Sequence, residues 1–278
     1  MKKFETIRLD IDAAGVARLT LARPDVHNAL NPVMFREIDE ALDLIESDPK
    51  ARVVVLSGEG ASFCAGGDFR WQQSQRDQDR ASRIRGGRPL AGLLARLDSF
   101  ARPIIGRING PAYGGGVGMI AICDVAVAVD SARIALTEVR LGLVPATISP
   151  YVAAKLGPSY ARRVFLNAKL MSAHEAQRYG LVHEVVPADQ LDAAVNAEID
   201  LALSCAPGAV TMTKKLVQYV LSHDTADNLI YTVDRLADFW ETDEAREGMQ
   251  SFFDKRQPVW RRTHASSANA ARVEAGPV

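Results

Sequence analysis

The sequence predicts an α/β protein with a mostly parallel sheet, and three observations carry that prediction. Runs rich in Val, Ile and Leu recur at residues 52–56, 103–108 and 124–129. Stretches with apolar residues at helical spacing lie between them. Glycines gather where two of the strand-like runs end. Strands that alternate with helices are joined by crossovers, and crossovers make neighbouring strands parallel.

The elements follow in order. Residues 4–11 and 16–22, joined across Asp12-Ala13-Ala14-Gly15, read as a hairpin. Asn31-Pro32 opens a helix, with Asn as cap and Pro at the first position, and Met34, Ile38, Leu42 and Ile45 form its apolar face. The strand at 52–56 leads into Ser62-Phe63-Cys64-Ala65-Gly66-Gly67-Asp68. Residues 71–89 then turn polar, with a Gly86-Gly87 break. So few apolar residues offset little ordering entropy, which predicts a mobile or marginally helical lid edge. The strand at 103–108 leads into Asn109-Gly110-Pro111-Ala112-Tyr113-Gly114-Gly115-Gly116-Val117-Gly118, and the next segment begins a helix.

Strands at 124–129 and 132–136 follow, then Glu138 and the turn Leu141-Gly142-Leu143-Val144-Pro145. Ser172-Ala173-His174-Glu175 is a capping box, Gly180 a helix stop, and 181–186 a short strand. The rest reads as helical. Met212, Leu216 and Val220 make one stripe, Leu229, Val233, Leu236 and Trp240 a second, and Ala245, Met249 and Phe252 a third. The expected organisation is a core at 1–200, a helical region at 201–262 and a disordered tail at 263–278.

Composition narrows the function classes. With 33 basic and 34 acidic residues the formal charge is -1, so no global field draws the chain to nucleic acid or an anionic membrane. The three cysteines lack CxxC spacing, which argues against a zinc site or a disulfide framework and suits a reducing cytoplasm. No metal is expected. No run approaches 18 uninterrupted apolar residues, and Met1-Lys2-Lys3-Phe4-Glu5 is not followed by an apolar stretch, so neither membrane insertion nor secretion is expected.

The two glycine clusters carry the chemistry. Glycine lets backbone approach a ligand closely and turn its N–H toward it. Two such strand ends could give two amide donors to one oxygen, an oxyanion hole, or each could be only a tight turn. Gly116-Val117-Gly118-Met119-Ile120-Ala121 also fits the dinucleotide pattern GxGxxA, a weak match in mid-chain. GxSxG, the mark of a serine hydrolase, is absent.

Arg23-Pro24, Asn28-Ala29-Leu30, Cys64-Ala65-Gly66-Gly67-Asp68, Asn109-Gly110 with Gly114-Gly115-Gly116, Cys123-Asp124 and the run Thr137 through Pro145 occur in that order. Together they resemble the crotonase superfamily, the enoyl-CoA hydratase/isomerase family, from about residue 5 to about residue 260. Within it, Glu138 to Tyr151 resembles bacterial methylglutaconyl-CoA and isohexenylglutaconyl-CoA hydratases.

The resemblance implies a crotonase-type ββα spiral core with a C-terminal helical trimerisation region. A homotrimer or dimer of trimers would act on an acyl-CoA, with coenzyme A carried as part of the substrate and no further cofactor. It implies backbone donors at Gly67 and Gly115 and a general base at Glu138. For the CoA moiety it implies Arg23, Val26, Ala65, Gly67, Asp68, Arg70, Gly115 and Lys255, the last reaching a neighbouring subunit. Two-glutamate hydratases carry their other glutamate where this chain has Gly118. The expected activity is hydration of the 2,3 double bond, with Glu138 serving both steps or an undetected group filling in; the alternatives are an isomerase, in which Glu138 moves a proton between carbons, and an inactive thioester-binding relative. A glutaconyl carboxylate would need a cation, for which Arg140 and Arg83 are candidates.

Overall fold

The computed structural model describes residues 2–262; the expected tail at 263–278 lies outside them. Along the chain come β1 (Ile7–Ile11), β2 (Val16–Leu21), α1 (Pro32–Ser47), β3 (Val53–Gly58), α2 (Phe69–Arg76) and α3 (Arg80–Asp98). Next are β4 (Ile104–Ile108), β5 (Ala112–Tyr113), α4 (Gly115–Ala121), β6 (Val125–Val129), β7 (Arg133–Ala135) and α5 (Ser149–Phe165). The chain continues through β8 (Met171–Ser172), α6 (Ala173–Arg178), β9 (Glu184–Val186) and α7 (Leu191–Ser204). It closes with α8 (Pro207–Ser222), α9 (Thr225–Trp240) and α10 (Asp243–Phe253).

Six strands form one sheet in the order β1-β2-β3-β4-β6-β9. Only the β1–β2 hairpin is antiparallel; every other neighbour is parallel. All six residues of β3 are buried, as parallel strands covered on both faces require. α7 packs on β3, β4 and β6, while α1 packs on β1 and α3. A second sheet, β5-β7-β8, is small and sits beside the first. It pairs β5 with β7 in parallel, Ala112 opposite Ile134 and Tyr113 opposite Ala135.

Local signals explain the elements. Asn31 Oδ1 accepts from the Met34 amide at 2.9 Å, and Met34, Ile38, Leu42 and Ile45 are completely buried. Ser172 and Glu175 form the reciprocal capping box. The strand expected at 181–186 is shorter, since only Glu184–Val186 pairs with β6; Leu181 and Val182 are buried ahead of it.

In the polar segment the expected Gly86-Gly87 break is corrected. Apart from 77–79 between α2 and α3, residues 71–89 are helical, α3 running unbroken through Gly86, Gly87 and Pro89. Composition understated the caps and anchors. Asp68 caps α2, and Asp79 caps α3 by accepting from the Ser82 amide at 2.6 Å. Trp71 stacks edge-on against Phe35 at 5.5 Å, and Leu93, Leu94 and Leu97 enter the core. Arg83 donates to the carbonyls of Gln75 and Arg76, fastening α3 to the end of α2.

α8, α9 and α10 bury no apolar side chain within the chain. Leu221, Leu229, Val233, Leu236, Phe252 and Phe253 are all more than half exposed. The stripes of α9 and α10 therefore lie largely open, while Met212, Leu216 and Val220 of α8 are half-buried. No helix among the described residues is long and apolar enough to cross a membrane.

Candidate active site

The site begins where β3 and β4 end. Beyond them the chain makes two isolated parallel bridges, Leu30 with Gly67 and Cys64 with Ala112. The Tyr113 amide donates to Cys64 O at 3.0 Å, the Leu30 amide to Gly66 O at 2.7 Å, and the Asp68 amide to Leu30 O at 2.8 Å. Three short segments, around Leu30, Cys64 to Gly67 and Ala112 to Gly115, thus lie side by side.

Register decides where the amides point. At a parallel bridge the flanking residues make the bonds, so Gly67 itself turns its N–H away from Leu30. Gly115 opens α4, and the first amides of a helix have no partner inside it. Among the described residues neither the Gly67 nor the Gly115 amide finds a protein acceptor. Their segments touch: a Cβ on Gly66 would fall 2.7 Å from Tyr113 O and 3.4 Å from the Gly115 nitrogen. Two free N–H groups on adjoining backbones can converge on one oxygen.

Glu138 joins them through the small sheet. Three residues beyond β7 it opens a 3-10 turn, Glu138–Leu141, and the Gly114 amide donates to Ala135 O at 3.0 Å. This brings the carboxylate against Gly114, so that a Cβ there would lie 2.8 Å from Glu138 Oε1. Glu138 Oε2 is buried and has no hydrogen-bond partner among the described residues. Burial pushes the Glu138 carboxyl above its ordinary value. Leu136 is buried beside it in sequence, whereas Leu141 is 64% exposed and shields nothing. An unpartnered, proton-loving carboxylate next to two free donors can take a proton from one atom and return it to another.

Gly118 faces a different neighbour. A Cβ there would meet Ile148, whose own Cβ lies 2.9 Å away, and Ile148 is buried. The place from which a second carboxylate would extend is occupied by a hydrocarbon side chain.

The remaining predicted residues divide. Arg23 and Asp68 form an ion pair at 2.8 Å, Arg23 also donates to Ala29 O at 2.5 Å, and Asp68 accepts the Arg70 and Trp71 amides. Burial alone would raise the Asp68 carboxyl, but these hydrogen bonds and the Arg23 charge hold it below its ordinary value. Both side chains brace the segments that carry Leu30 and Gly67. Ala65 donates to His27 O at 2.9 Å, Val26 is 42% exposed in the turn Pro24–Val26, and Arg70 stands exposed in the first turn of α2.

Lys255 is not brought to them within one chain. It follows α10, in a segment anchored where Arg52, just before β3, donates to Trp260 O at 3.0 Å. That is the opposite end of the strands. Arg140 donates to Ala168 O at 3.1 Å and Arg83 to the end of α2, so both arginines weighed for a substrate carboxylate are engaged elsewhere.

Sequence reasoning missed two side chains: Ile148 and Gln72, whose Nε2 lies 2.5 Å from where a Gly67 Cβ would be. Ile148 lies far from Gly118 in sequence, with no signal to link them. Gln72 stands four residues past Asp68, one helical turn, and a correct helix assignment for α2 would have found it. A separate concavity of about 1010 Å³ opens at the far end of α4, lined by Cys123, Asp124, Tyr151, Lys155 and Lys214, without Glu138.

Residues 12–263 match the family described as enoyl-CoA hydratase/isomerase. The chain is 30% identical over 248 residues to the (E)-benzylidenesuccinyl-CoA hydratase of Thauera aromatica, covering 88% of this chain and 95% of that one. It is 31% identical over 274 residues to the mitochondrial Delta(3,5)-Delta(2,4)-dienoyl-CoA isomerase of Dictyostelium discoideum, covering 93% and 92%. The crystal structure of an enoyl-CoA hydratase from Shewanella pealeana matches with a TM-score of 0.89 at 34% identity, covering 93% and 97%.

Proposed function

The chain belongs to the enoyl-CoA hydratase/isomerase family, and within it we propose that it adds water across the 2,3 double bond of an enoyl-CoA, using Glu138 as its one acid–base group. The observation that carries this reading is the position of the Glu138 carboxyl, against Gly114 and beside the free Gly115 amide, with one oxygen unpartnered.

The thioester oxygen accepts from the Gly67 and Gly115 amides. Glu138 takes a proton from water as the water oxygen bonds to C3, and the π electrons move onto the thioester oxygen as an enolate. The protonated Glu138 then gives that proton to C2 on the same face, so that H and OH have been added and the carboxylate is restored. Donors fixed where charge develops contribute most; losing one typically costs about 3–4 kcal/mol of barrier. Coenzyme A arrives with the substrate, its thioester end along Ala65 and Gly67 and its phosphates within reach of the exposed Arg70. Lys255 can contribute only from a second copy, and the open apolar face of α8 to α10 supports a trimer.

The run from Glu138 to Tyr151 supports a glutaconyl-type acyl group. The engagement of Arg83 and Arg140 favours an uncharged branched one. Ile148 over Gly118 favours a second reading, double-bond migration, because no second carboxylate helps hold a water. Glu138 would then move a proton from C2 of a 3-enoyl-CoA to C4.

Turnover of crotonyl-CoA, 3-methylglutaconyl-CoA and a 3-enoyl-CoA in ¹⁸O-water separates the readings. Hydration puts the label in a 3-hydroxyacyl product; migration without label would replace the first reading by the second. Restoring the absent carboxylate should fail as a single change. Gly118→Glu is expected to destabilise the fold by about 1–3 kcal/mol through overpacking. Adding Ile148→Gly should recover part of that loss in thermal melts; equal melting of both variants would show that Ile148 is not the obstacle.

A further inference from the structure

The Gln72 side chain has no place yet in this chemistry. The residue is half-buried, and among the described residues its carboxamide makes no hydrogen bond, which leaves its N–H free for a ligand. The polar groups around it are committed elsewhere. Asp68 is held by Arg23 and two backbone amides, and Gln75 Nε2 contacts Ser74. What Gln72 does approach is Gly67.

Helical side chains lean toward the N-terminus of their helix, so Gln72 hangs over the first turn of α2. There it enters the space that Gly67 leaves by having no side chain, with Nε2 at 2.5 Å and Cδ at 3.3 Å from the absent Cβ position. Any larger residue at 67 would expel it.

We propose that Gln72 is a third hydrogen-bond donor to the thioester oxygen, beside the amides of Gly67 and Gly115. The inference rests on the thioester reading above and adds a side chain to a site otherwise built from backbone. Distance permits it. A Cβ position lies about 2.5 Å from its own amide nitrogen, which puts Gln72 Nε2 within about 5 Å of the Gly67 nitrogen. Two N–H donors at that separation share one oxygen about 2.9 Å from each. Chemistry gives it a purpose as well. With a hydrocarbon over Gly118, a single carboxyl must serve every proton step, and stabilising the enolate falls to the donors. A neutral carboxamide supplies an N–H there without adding a titrating group.

The test reads the carbonyl itself. Isotope-edited infrared spectra of crotonyl-CoA labelled with ¹³C at C1, bound to Glu138→Gln to prevent turnover, give the C=O stretch in the site. Binding is expected to lower that frequency, and adding Gln72→Met to return it part of the way. In the wild-type background Gln72→Met should lower kcat on the order of tenfold to a hundredfold with little change in KM. Gln72→Asn keeps the carboxamide but withdraws it by one methylene, and should behave like Met. An unchanged carbonyl band in bound Gln72→Met, or a loss confined to KM, would overturn the proposal while leaving the backbone donors standing. If binding shifts no carbonyl band even with Gln72 intact, the donor reading fails and this inference with it.

Discussion

Glu138→Gln is expected to lower kcat by about 10²–10⁴-fold while leaving thioester binding intact and making the folded protein more stable at neutral pH. The two effects have one source. Burial raises the Glu138 carboxyl above its ordinary value, so the folded chain holds that proton more tightly than the unfolded chain does. Ionised Glu138 therefore opposes folding at any pH above the raised pKa. That opposition fades as pH falls through the raised value and is gone below the unfolded one, about 4.3. Glutamine removes the charge, so its gain in melting temperature should grow with pH up to the raised pKa and vanish near pH 4. The same shift should place the acid limb of the wild-type kcat/KM profile above the ordinary carboxylate range. A variant that melts below wild type at pH 7 would mean that the carboxylate has a partner in the fold, and would remove the physical basis for its role as base.

Gly114→Ala should damage both the fold and the chemistry with a single methyl. Gly114 has φ 48° and ψ -114°, a conformation costing an L-residue on the order of 1–3 kcal/mol. The new methyl would also press on Glu138 Oε1, and displacing a reacting group by about 1 Å can cost 10²-fold in rate. Loss of stability and at least 10²-fold loss of kcat/KM are both expected. Gly142→Ala separates the causes. Gly142 also has positive φ, 70°, but a Cβ there meets nothing within 4 Å. It should lose stability and keep its kinetics, so similar kinetics in the two alanine variants would show that contact with Glu138 does not matter.

These residues also show what can be read from sequence and what cannot. The Asn31-Pro32 start, the apolar face of α1, the glycines at the ends of β3 and β4 and the Ser172 box are local signals. Each follows from the conformational demands of a few neighbouring residues, and each appears where the sequence placed it. That 71–89 holds two well-anchored helices, not a mobile or marginally helical edge, was hidden because the stabilising partners, Phe35 for Trp71 and the leucines of α3 for the core, lie outside the window that composition samples. Arg23, Asp68, Arg140 and Arg83 were legible as charges but not as engaged charges, since their partners are set by tertiary packing. Ile148 over Gly118 depends on how α5 meets α4 and leaves no trace in residue spacing. Lys255 was tied to the site by resemblance alone, and the chain holds its segment at the far ends of the strands.

The seating of Ile148 against Gly118 also bears on ancestry. A lineage that loses the carboxylate at 118 and fills the space from 148 has passed through a one-way gate. Mutating 118 back first meets a blocked position. Shrinking 148 first opens a void in the core, and large-to-small changes at such positions cost about 2–5 kcal/mol. Neither first step is neutral, so drift does not readily restore a two-carboxylate ancestor. Selection in such a line can act on the donors around the oxyanion more freely than on the number of carboxylates.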